Sequence, residues 1–129
     1  MKKTISQWID TVLNTDIPEN VVAFCFNLYE EGGKAWSIEL IGSDRFDLMD
    51  EDWACSEITD FNSRQNLYMW EKDCTWEEAL ESAIKELTAY LQTGKHGQLL
   101  KSRTAVGAGF VDGDLHILYH RSNEVTSDV

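Results

Sequence analysis

Apolar residues along this chain follow two rhythms, and the change from one to the other marks out its elements. Near the start Ile5, Trp8, Ile9, Val12 and Leu13 fall at i, i+3, i+4 and i+7, the spacing of one helix face. Thr4 with Gln7 three residues on has the form of a capping box, and Asn14 to Asn20, holding Pro18, ends the pattern. The period then drops to two. Val22, Phe24, Phe26 and Leu28 alternate with Ala23, Cys25, Asn27 and Tyr29, in a run rich in aromatic and β-branched side chains. "EEGGK" supplies a turn whose glycines accept positive φ, and "AWSIELIG" returns with Trp36, Ile38 and Leu40 on one face. These segments predict a helix followed by a β-hairpin.

Trp53 to Phe61 reads as a strand with Trp53, Cys55 and Phe61 facing inward, while a short helix starting at Asp52 fits the same residues. "NSRQN" has turn composition, and "LYMWEK" is apolar and aromatic enough for a further strand. A long helix starts after Thr75, which forms a second capping box with Glu78, and Glu77 and Glu78 suit the positive end of its dipole. Trp76, Ala79, Leu80, Ala83, Ile84, Leu87, Tyr90 and Leu91 make its apolar stripe. Glu81 and Lys85 are spaced for an outer ion pair, and Gly94 closes the helix as a C′ glycine. Lys95, His96, Lys101 and Arg103 belong to a basic, solvated connector. "TAVGAGFVDGDLHILYH" then gives two alternating runs about Asp112-Gly113, a two-residue turn signal. Gly107 and Gly109 predict either a close approach of the long helix or a bulge. A polar tail, 122–129, is expected to fray.

The predicted order is α-β-β-β-β-α-β-β. Short connections imply a mainly antiparallel sheet of about six strands, and the two striped helices should cover one face of it, giving a two-layer α+β domain. The other face is expected to stay bare unless a partner or a second copy covers it. With 129 residues the chain has one domain's length, and 43% hydrophobic residues with five Trp set it apart from disordered chains.

Charge narrows the choice of partner. Twenty-three acidic residues against 11 basic ones leave a formal charge of −12, which repels nucleic-acid backbones and anionic membranes and attracts basic proteins. "MKKTISQWIDTVLN" lacks the apolar run and cleavage site of a secretory signal, and no stretch approaches the ~20 apolar residues of a membrane span. Cys25, Cys55 and Cys74 are odd in number and lack CxxC spacing, so a reducing cytoplasm with cysteines as small core residues is expected.

Candidate chemistries thin out quickly. Asp50-Glu51-Asp52 lacks the alternating ligands, central glycine and distal glutamate of a calcium loop, so no metal is expected. His116 and His120 fall on one face of a strand but about 13 Å apart, too far to share an ion. There is no G-x-S-x-G elbow, P-loop or dinucleotide fingerprint, and Glu57 and Asp73 beside Cys55 and Cys74 disfavour a reactive thiolate. A protein without catalysis or cofactor is expected. What remains is Asp44 to Asp60: seven carboxylates against Arg45 alone, half the net charge in 17 residues, with Trp53 in the middle. Such a run is either a solvated turn next to a core tryptophan or a surface that meets a basic partner.

The runs "AWSIELIGSDRFD…DWACSEITDF", "TWEEALESAIKELTAYLQTGK" and "AVGAGFVDGDLHILYH" together resemble small bacterial immunity proteins, the antidotes encoded beside the toxins of polymorphic toxin and contact-dependent inhibition systems. The resemblance implies a cytoplasmic, non-catalytic protein that binds one toxin domain and blocks its active site or its access to target. If that toxin cleaves nucleic acid, its groove is cationic. Asp47, Asp50, Glu51, Asp52, Glu57 and Asp60 are then the expected contact surface, with Trp53 as anchor. Two other classes stay open: a homodimer or accessory binding module using the bare sheet face, and a small-molecule enzyme with a pocket at the C-terminal hairpin.

Overall fold

A computed structural model describes residues 4–121; residues 122–129, where a frayed tail is expected, lie outside that range. Both helices begin where their capping boxes place them. In α1 (Ile5–Val12) Thr4 Oγ1 accepts the Gln7 N–H at 3.1 Å and Gln7 Oε1 accepts the Thr4 N–H at 3.0 Å. In α2 (Trp76–Thr93) Thr75 and Glu78 exchange the same pair at 3.2 and 3.0 Å. Each box satisfies two N–H groups that the helix cannot pair internally. Gly94 ends α2 in an extended conformation (φ −73°) rather than as a left-handed C′ residue, and Glu81 and Lys85 do not close into an ion pair. The basic connector folds into a short third helix, α3 (Gly97–Lys101), and His96 at its start is half-buried rather than solvated.

Among the described residues six strands form one sheet: β1 (Ala23–Gly32), β2 (Ala35–Ser43), β3 (Glu57–Asn62), β4 (Tyr68–Glu71), β5 (Ala105–Phe110) and β6 (His116–His120). Their order is β3-β2-β1-β5-β6, and β4 also pairs with β2. The β1–β2 hairpin turns through three successive positive φ values, at Gly32, Gly33 and Lys34, which is why glycines stand there. β3 and β4 lie along the same edge of β2, β3 against Ile41 and Ser43 and β4 against Ala35 to Ile38. The turn between them therefore joins two pieces of one interrupted strand rather than a hairpin. Ser63 bridges the break, its hydroxyl accepting the Leu40 N–H at 2.8 Å and its own N–H donating to the Leu40 carbonyl at 2.9 Å.

The sheet is not antiparallel throughout. β1 and β5 are parallel, from Ala23 opposite Ala105 to Leu28 opposite Phe110. The reason lies in direction: β4 runs antiparallel to β2 and hence parallel to β1, and α2 carries the chain across the sheet so that β5 repeats that direction.

Burial follows the strand alternation. Phe24, Phe26 and Leu28 of β1, Ile38 and Leu40 of β2, and Val106 and Ala108 of β5 pack against Trp8, Ile9 and Leu13 of the α1 region and Ala83, Leu87, Tyr90 and Leu91 of α2. The opposite sheet face is not left bare. Ala23, Cys25, Ile41 and Ala105 pack under Trp53, with Phe46, Leu115 and Ile117 around the rim. Small side chains on β1 and β5 leave the depression, and the indole fills it. Gly107 belongs to the same arrangement: a Cβ there would sit 3.1 Å from Trp53 Cζ2, so this glycine admits the tryptophan, not the long helix. A register shift also falls between Val106 and Gly107, so the bulge reading holds at this point.

The same shift separates the two strand histidines. His116 pairs with Ala108 on the helix-covered face and His120 with Ala105 on the other, so they do not share a face. The β5–β6 connection runs from Val111 to Leu115, longer than a two-residue Asp-Gly turn, and Gly113 does not take positive φ.

Candidate partner-binding site

Between β2 and β3 the chain leaves the sheet in a loop, 44–56, that carries most of the acidic run. Both readings of the later part are realised in succession: a 3-10 helix over Glu51–Cys55, then β3 from Glu57. Helical geometry at Cys55 turns its thiol outward, so Cys55 is exposed and does not face the core with Trp53.

Trp53 is the loop's root. It is 1% exposed, edge-on to Phe46 at 5.1 Å, and its carbonyl accepts the Ser43 hydroxyl at 2.6 Å. Phe46 in turn stacks on His120 at 6.3 Å. The neck closes where the Asp44 N–H donates to the Ser56 carbonyl at 3.2 Å and the Ser56 hydroxyl donates to Asp44 Oδ1 at 2.6 Å. An anchor at Trp53 is therefore unavailable to a partner, because the indole is already spent on the protein's own core.

The carboxylates above this root shape the loop and remain in water. Asp47 Oδ1 accepts the Met49 N–H at 2.9 Å, and Asp50 Oδ1 accepts the Asp52 N–H at 3.0 Å as cap of the 3-10 helix. Such Asx turns fix short loops without an apolar interior. Glu51 Oε2 takes the Leu115 N–H at 3.4 Å, a contact from the loop to the β5–β6 turn. Arg45 reaches Asp50 at 3.6 Å, but both side chains are about half exposed and the pair contributes at most about 1 kcal/mol. Asp52 has no side-chain partner among the described residues. At the loop's tip Leu48 is exposed and Met49 is 90% exposed, an apolar point between acidic neighbours. The sequence reading missed these two residues, although apolar side chains enclosed by Asp47 and Asp50 were the available signal.

Glu57 and Asp60 do not join this group equally. Arg64 holds Glu57 through Nη2 at 2.8 Å and holds Glu39 through Nε at 2.6 Å. The Glu39 side chain is 3% exposed, and its second oxygen accepts the Tyr29 hydroxyl at 2.7 Å. This cluster lets the sheet bury a carboxylate, because charge and lone pairs are both satisfied. Burial, reinforced by the hydrogen bond to Glu39, pushes the Tyr29 hydroxyl up to about 12. Asp60 is exposed on β3 and does not line the hollow below. Asp47, Asp50, Glu51 and Asp52 thus share the loop, Glu57 sits at its foot clamped by Arg64, and Asp60 is exposed further along β3.

Beneath the loop lies a hollow of about 380 Å³ whose wall includes Asn27, Glu51, Asp52, Cys55, Glu57 and Leu115. Three carboxylates on such a wall suit a cationic side chain and repel phosphate. Cys25, on the sheet beside it, is buried, and that burial, with smaller contributions from Cys55 and Glu39, pushes its thiol up to about 12. It is a packing residue, not a nucleophile. Among the described residues no group of three or more His, Cys, Asp or Glu is placed to hold a metal ion, and no helix is long and apolar enough to cross a membrane.

Comparison with protein families, curated proteins and solved structures finds no match to this chain.

Proposed function

We propose that the chain is an immunity protein, which binds a basic toxin domain in the cytoplasm and occludes its cationic groove without catalysing any reaction. One observation carries the reading: loop 44–56 holds five exposed carboxylates and an apolar tip on a root buried to 1% exposure. A loop ordered before encounter loses little freedom on binding, so more of the contact energy is left for affinity. Its charge steers a basic partner and rejects nucleic acid, while Met49 and Leu48 supply the desolvated contact that slows departure. A toxin that cleaves nucleic acid carries the complementary surface, since its groove is built to hold phosphates.

The test of the role is co-expression. The toxin domain encoded beside this chain should arrest growth alone, and the chain should restore growth and co-purify with that domain. If the neighbouring product is not toxic, or if the chain neither protects nor binds, the immunity reading is wrong.

A further inference from the structure

On the helix-covered side, a groove of about 510 Å³ runs between the first turns of α2 and the β5–β6 turn. Its floor is Trp76, Leu80, Ile84 and Phe110, and its rim carries Glu77, Glu81 and Asp114. His116 of β6 completes the lining, and among the described residues no lysine or arginine lines it. Trp76 belongs to the apolar stripe of α2 and is the first residue of that helix, yet it is 52% exposed. It is not a loose side chain. Its ring meets Phe110 at 6.1 Å and 88°, and Phe110 meets the buried Trp36 at 6.0 Å and 65°, so the exposed indole ends a row of edge-packed aromatics. The groove also adjoins the acidic loop: Phe110 and Gly113 line both it and the hollow under residues 51–57, and Glu51 is bonded to Leu115 on the same turn.

We infer that this groove is a second docking surface, taking an amphipathic segment of the basic partner: an apolar side chain on Trp76, Leu80 and Ile84, flanked by lysine or arginine facing Glu77, Glu81 and Asp114. The inference rests on the reading of the chain as a binder of basic protein and extends the contact across the β5–β6 turn. Complementarity selects the occupant. A rigid aromatic in an apolar trough is the composition of an interface anchor, and three carboxylates against a single histidine, His116, favour positive flanks and repel acidic ones. It also disfavours a second copy, since the formal charge of −12 makes self-association repulsive.

The test uses the ¹⁵N-labelled full chain and a short helical Lys/Leu peptide, with Glu-for-Lys and Ser-for-Leu versions as controls. The Lys/Leu peptide should shift the Trp76 indole N–H and the amides around Leu80 and Ile84, and neither control should. Trp76→Ala and, separately, Glu81→Lys should each weaken binding at that site by about tenfold, while Glu51→Lys/Asp52→Lys should leave the groove shifts in place. Shifts confined to loop 44–56 would overturn the groove and leave the acidic-loop reading standing. Shifts at neither place would overturn both. Equal binding of the Glu peptide, or an indole resonance that moves with protein concentration alone, would also overturn the inference, the latter by showing a second copy in the groove.

Discussion

Two side chains on one sheet face show how closely burial sets reactivity here. Cys25 is sealed beneath Trp53, whereas Cys55, at the end of the 3-10 helix above it, is exposed. A thiol reagent at pH 8 should modify Cys55 in the folded protein and reach Cys25 only on unfolding; labelling followed by mass spectrometry reads this directly. Cys25 also ties stability to alkaline pH. Its pKa rises from 9.0 to about 12 on folding, so the folded state keeps a proton that the unfolded chain releases. Its contribution is present below pH 9.0 and is lost progressively as pH rises toward the folded value. Cys25→Ala should flatten that decline in urea melts above pH 9.0.

The buried Glu39 makes a second residue-scale case. Arg64→Ala removes its cation but leaves the Tyr29 hydroxyl, and Arg64 is itself 53% exposed, so water can reach the vacated position. The expected loss is therefore about 1–3 kcal/mol by urea unfolding rather than the larger cost of stranding a fully sealed charge, with part recovered by adding Glu39→Gln. Neither partner of this cluster was readable from local pattern. Glu39 sits in an alternating strand where the polar face was expected to be bare, and Arg64 lies in what read only as a turn.

At the scale of elements, local rules placed what local rules govern. Capping boxes located the starts of α1 and α2, and period-two alternation located β1 and β2. The parallel β1–β5 pairing escaped because the strand direction depends on β4 and α2 between them, not on either strand's own residues. The covering of the second sheet face escaped for a related reason. Ala23, Cys25, Ala105 and Gly107 together signal room for a large side chain, but only their adjacency in the sheet makes them a pocket. Trp53→Ala should cost about 3–5 kcal/mol and loosen the whole loop, seen as faster hydrogen exchange over residues 44–56. Gly107→Ala should cost about 1–3 kcal/mol by crowding the indole, and much of that cost should vanish in the Trp53→Ala background. Additive effects would show that the two residues do not oppose one another.

Across the whole molecule, charge and apolar exposure converge around the β5–β6 turn, where loop 44–56 meets one side and the Trp76 groove the other. Of the contact set expected from sequence, Asp47, Asp50, Glu51 and Asp52 are exposed on one loop, Glu57 and Asp60 lie on β3, and Trp53 is buried. Carboxylate density is visible in sequence; which carboxylates share a surface depends on where the loop folds back. If this surface recruits a basic partner, stopped-flow association with the neighbouring toxin domain at several salt concentrations will show it. Glu51→Lys/Asp52→Lys leaves the Asp50 cap intact and should slow association about tenfold or more at low salt while flattening its dependence on ionic strength. An association rate and salt slope identical to those of the unaltered protein would contradict it.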